Sequence, residues 1–139
     1  MAKRNWTWGY SPQHDPKTKP TTDLKRKVEA AAVELNASFL TPTFVKPPPK
    51  KPRFNYVIGI TTQWRGRFFY FLAEYRCPGP NALSPTFTAG FARLEHMGNE
   101  RFNLAYFRHT DEWWAVLQDQ SLDDCLEAIR TQPLFQPPA

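Results

Sequence analysis

Glycine and methionine are scarce in this chain of 139 residues, with 6 and 2 copies, and cysteine also occurs only twice. Cys77 and Cys125 are too few for the disulfide framework that holds many small secreted domains together. No apolar run approaches the roughly 20 residues that a membrane-crossing helix needs. The opening MAKRNWTWGY has no apolar stretch of the kind that directs secretion. These absences lead us to expect a cytoplasmic protein with no membrane partner. G-x-S-x-G, the Walker loop, G-x-G-x-x-G and C-x-x-C are missing as well, so the chemistries those motifs serve lack their usual machinery.

Aromatic residues and proline are plentiful instead: 11 Phe, 5 Tyr, 5 Trp and 14 Pro. Aromatic side chains fit the half-buried surface of a pleated sheet, which argues for a sheet-centred fold. The length suits one domain with a core large enough to need no metal or disulfide. The net charge of +5 is unevenly placed. Residues 1–54 carry 11 Lys/Arg against 4 Asp/Glu, and residues 55–139 carry 7 against 9.

Residues 1–20 read as a basic, Pro-rich arm, because Pro12, Pro16 and Pro20 each turn the preceding residue away from helix. Residues 21–136 read as one α+β domain. In it, TTDLKRKVEAAAVELNASFL has Leu24, Val28, Ala31, Leu35 and Phe39 on one helical stripe, with Thr22 as N-cap and Pro42 as the stop. KPPPKKPR, residues 46–53, is a polyproline linker. Its +xxPxxP pattern also fits polyproline ligands, but between a helix and a sheet a simple stiff connector is the better reading.

Five β-prone runs follow, at 54–64, 67–77, 86–96, 101–109 and 113–118. Turns at Arg65-Gly66, Gly98-Asn99 and Thr110-Asp111 fold them into an antiparallel meander. That register puts Tyr56, Ile58, Ile60, Phe69, Phe71, Phe91, Phe102, Leu104, Tyr106 and Leu117 on one face. Val57, Gly59, Tyr70, Leu72, Gly90, Ala92, Ala105, Phe107, Trp114 and Val116 fall on the other. It sets Gly59 against Leu72, Gly90 against Phe107, and Arg108 against Trp113 as a cation–π pair. SLDDCLEAIRTQP closes the domain as a second helix, capped by Ser121 and buried through Leu122, Leu126 and Ile129.

Helices most easily cover the first face, which leaves Tyr70, Leu72, Phe107 and Trp114 as a patch that something must cover. Trp6, Trp8 and Tyr10 recur at every second residue, on one side of an extended segment, and suit that task. We therefore expect an interaction module that uses these seven residues, with a homodimer as the concrete form and an unidentified protein as the other partner class. The alternative is nucleic-acid binding by Lys3, Arg4, Lys17, Lys19, Lys25, Arg26, Lys27, Lys50, Lys51 and Arg53.

Catalysis is the weakest reading. The meander separates His96, facing Arg101, from His109 by roughly 25 Å, at ~3.3 Å per residue. Neither Cys77 nor Cys125 has a visible base. We assign no catalytic residue, cofactor or metal ligand. Catalysis would need a pocket that gathers Cys77 or His109 with a carboxylate.

The segments FAR, FNLAYFR with a tryptophan a few residues on, and SLDDCLEAI resemble the end of a family of small bacterial proteins of unknown function. FNYVIGI and FFYFLAEYRCP fit that family's first hairpin, so the resemblance spans about residues 22–135. It implies helix, meander and short C-terminal helix, and carries no activity, cofactor or catalytic residue. Residues 1–20 and CPGPNALSPT depart from the pattern.

Overall fold

The computed structural model describes residues 18–80 and 82–138. Thr21 caps α1 (Thr22–Leu35) by accepting from the Leu24 N–H at 3.1 Å, so the cap lies one residue before the expected Thr22. The buried stripe is Leu24, Val28, Ala32 and Leu35, with Ala32 in place of Ala31. Pro42 does not stop the helix. A π-helical turn, Asn36–Leu40, precedes α2 (Thr41–Phe44), and Pro42 falls in the first turn of α2, where its missing N–H costs least. The extra residue of that turn rotates the face, so Leu40 is buried while Phe39 is only partly so. Asn36 ties the turn to the sheet, donating to the Ile60 carbonyl at 3.0 Å and accepting from Thr41 Oγ1 at 2.6 Å.

The five strands are β1 (Tyr56–Arg65), β2 (Phe68–Arg76), β3 (Thr86–Gly98), β4 (Arg101–Phe107) and β5 (Trp113–Gln120), antiparallel and in chain order. The architecture is thus α+β: an N-terminal helix, a five-stranded meander and α3 (Leu122–Thr131), capped by Ser121. α1 lies over β1, and α3 lies over β4 and β5 on the same side of the sheet. Phe69, Phe71, Leu94, Phe102, Leu104, Ile129 and Phe135 fill the space between.

The strand register departs from the expected one. The first turn is Gly66-Arg67, with Gly66 in the left-handed region at φ 59°. Gly59 therefore faces Glu74 instead of Leu72. An extra residue at Ile58 turns Val57 into the core, and another at Phe91 brings Ala92 there. The second turn is Asn99-Glu100, both at positive φ (53° and 55°), as a two-residue hairpin turn of matching twist requires. The turn alone would keep the expected faces; the extra residue Met97, between the His96 and Gly98 pairs, shifts the register by one and moves Leu94 and His96 onto the core face.

His96 is therefore not a hairpin-end surface residue. It is 4% exposed, sits opposite Phe102 instead of Arg101, and donates from Nδ1 to the Thr18 carbonyl at 2.8 Å. A carbonyl only accepts, so Nδ1 carries the proton; Nε2 is buried with no hydrogen-bond partner.

Candidate functional site

The face opposite the helices is organised as rows that cross the strands. Gln63, Tyr70, Arg93, Ala105 and Ala115 stand in register across all five strands. Beside this row, Thr61, Leu72 and Gly90 are paired in turn, and Phe107 pairs with Trp113. The last hairpin places Trp113 here. Trp114 pairs with Tyr106, on the helix-covered side at the outer strand, and so leaves the group in which the sequence had set it. Arg108 correspondingly lies over the Trp114 ring at 4.0 Å, and not against Trp113.

Gly90 explains where Trp113 goes. A Cβ at Gly90 would meet Trp113 Cζ2 at 2.9 Å, so the indole occupies the space that a side chain would fill. Tyr70 and Phe107 meet the same indole edge-on, at 5.7 and 5.2 Å between centroids. Gly90 is thus covered by a large ring as expected, but Trp113 supplies it.

Arg93 is the centre of this face. Its guanidinium lies 4.3 Å from the Phe68 ring centroid, 4.9 Å from Trp113 and 6.0 Å from Tyr70. Burial lowers its pKa from the usual arginine value, opposed by Tyr70 across the pair. Its Nε is buried with no hydrogen-bond partner, and the rings supply cation–π attraction instead. Alongside, Arg67 and Glu95 pair at 2.9 Å, both largely buried.

Between the Trp113–Phe107 wall and β1 lies a concavity of ≈ 690 Å3. Its other side is Thr61, Gln63 and Arg65, with Thr88 at the end. These four side chains make no hydrogen bond or ion pair with other described residues. Of the expected patch, Tyr70, Leu72 and Phe107 line this concavity, Trp114 does not, and Trp6, Trp8 and Tyr10 lie outside the described residues. Arg93, Trp113 and the β1 row were not anticipated. The signal that could have found them was Gly90, a bare position that needs a large neighbour.

Of the cations expected to meet nucleic acid, those described form two separate groups. Lys19, Lys25, Arg26 and Lys27 gather at the start of α1, where Lys27 pairs with Glu100 at 2.7 Å. Lys50, Lys51 and Arg53 follow α2, on the order of 30 Å further along the helical path at 1.5 Å per residue. Lys3, Arg4 and Lys17 lie outside the described residues. His109 is exposed in the last turn, and Cys77 lines a cavity whose walls include Arg53 but no carboxylate. Among the described residues, no three His, Cys, Asp or Glu side chains cluster as a metal site would require. No described helix is long and apolar enough to cross a membrane.

The geometry defines an α+β domain with one helix-covered sheet face and one face built around an arginine among aromatic rings. Residues 18–137 match the family described as Domain of unknown function (DUF3024), and the chain belongs to that family. Comparison with curated proteins and with solved structures gives no match.

Proposed function

We propose that this domain is a non-catalytic interaction module and that it self-associates through the Arg93 face of its sheet. The observation that carries the reading is the two-sided concavity. One side is the apolar wall of Trp113 and Phe107, and the other is the polar row Thr61, Gln63 and Arg65. A two-fold axis sets surface i of one copy against j of the other, and j against i. The Arg65 side of one copy then meets the aromatic wall of its partner, pairing guanidinium with ring. The face carries both signs of charge, Arg65, Arg67 and Arg93 with Glu74 and Glu95, so the two copies need not repel. Trp6, Trp8 and Tyr10 are proposed to add to the same contact from the arm.

Sedimentation over a concentration series tests this. The full chain is expected to dimerise, and Phe107→Glu, at a position already 40% exposed, to weaken the dimer at least about tenfold while the circular dichroism spectrum is unchanged. A chain lacking residues 1–12 should dimerise more weakly than the full chain. A full-length protein that stays monomeric at every concentration, or a Phe107→Glu dimer of undiminished affinity, overturns the proposal.

A further inference from the structure

Among the described residues the helix-covered side has a gap. α1 lies over β1 and α3 over β4 and β5, and the ends of β2 and β3 run past both. There the phenylalanine exposure changes abruptly: Phe69 and Phe71 are fully buried, whereas Phe87 is 41% exposed and Leu134, after α3, is 45% exposed. Both line a trough of ≈ 640 Å3 with Phe44, Tyr75, Ala89 and Phe91, a volume within the usual range for small-molecule sites.

The polar groups in this trough are already engaged. The Tyr75 hydroxyl donates to the Pro138 carbonyl at 2.8 Å, and Gln136 Nε2 donates to the Ile129 carbonyl at 2.9 Å. Asn55 alone adds a side-chain amide with no described partner, and it stands where the trough meets two neighbouring cavities. The walls can thus hold hydrocarbon and offer little to a polar ligand body. Each neighbouring cavity supplies a cation at the rim: Arg53 in one of ≈ 490 Å3 and Lys46 in one of ≈ 280 Å3. Neither forms an ion pair with a described residue; Lys46 Nζ reaches only the Pro42 carbonyl, at 3.4 Å, and Arg53 lies 5.8 Å from the Phe54 ring centroid.

We infer that this trough binds a single-chain amphipathic carboxylate, its hydrocarbon tail against Phe87, Ala89 and Leu134 and its head group at Lys46 and Arg53. This site adjoins the self-association face, since Gly90 and Phe107 line both cavities, but its proposed tail and head-group contacts use neither residue. Titration calorimetry with dodecanoate, below the concentration at which it aggregates, reads the binding directly. Saturable one-to-one binding is expected. Decanoate and octanoate should bind progressively more weakly, by up to about fourfold per methylene lost. Leu134→Glu, which sets a negative charge on the exposed wall, should reduce affinity at least about tenfold. The surface double variant Lys46→Glu/Arg53→Glu should weaken dodecanoate several-fold and leave dodecanol unaffected. Because both variants alter exposed positions, thermal unfolding of each should match wild type. Absence of saturable binding overturns the inference, as does binding indifferent to Leu134→Glu. A double variant that binds dodecanoate as well as wild type overturns the head-group assignment.

Discussion

Gly90 and Trp113 show how one bare position sets a surface. The indole lies where a Cβ would be, with Cζ2 at 2.9 Å and Cη2 at 3.0 Å, so Gly90→Ala must displace a large ring held by Tyr70, Phe107 and Arg93. We expect a loss of about 1–3 kcal/mol in urea unfolding, as in other overpacked sites, with altered tryptophan fluorescence. Unchanged stability would mean that the ring moves away freely. Cys125 makes a second case. Burial, helped by the charge of Asp124, pushes its thiol up to about 12, while an unfolded thiol titrates near ~8.5. Above roughly pH 9 the unfolded chain releases a proton that the native chain keeps, so stability falls as pH rises toward 12. The stability advantage of wild type over Cys125→Ala should shrink by up to about 1.4 kcal/mol per pH unit across that window. A constant difference between the two proteins at pH 9 and 10.5 would refute it.

At the scale of elements, helices and strands were legible because their patterns are local. Alternating aromatic and β-branched residues marked all five strands, and Ser121 with its two following aspartates marked α3. Registers were not legible. Gly98-Asn99 reads as the better turn, yet the chain turns at Asn99-Glu100, and the extra residue Met97 then exchanges the two faces along the middle of β3. Bulges at Ile58 and Phe91 repeat the problem, since an unpaired residue leaves no mark in an apolar run. The π-turn at Asn36–Leu40 was hidden for another reason: what sustains it is tertiary. Asn36 donates to Ile60, across 24 residues, and accepts from Thr41. Asn36→Ala should cost about 1–2 kcal/mol, read as a lower urea midpoint at unchanged slope. No change in midpoint would assign the turn to Pro42 alone.

For the whole molecule, the decisive fact is that every described helix that packs on the sheet does so on one side. Self-association and ligand capture are both proposed from what that arrangement leaves open: the Arg93 face on one side, and the gap beyond α3 on the other. The sequence by itself determined the α+β class, the element order and the two helix caps' approximate places, because propensity and periodicity act between residues a few positions apart. Tyr70, Leu72 and Phe107 also share the face expected of them, because the extra residues at Phe91 and Met97 each shift the register by one and cancel between β2 and β4. Only the tertiary structure decided that Trp113 completes that face, that Arg93 sits among its rings and that His96 is buried. Each of these depends on a strand register, and register is fixed by which long-range packing fills the core without voids.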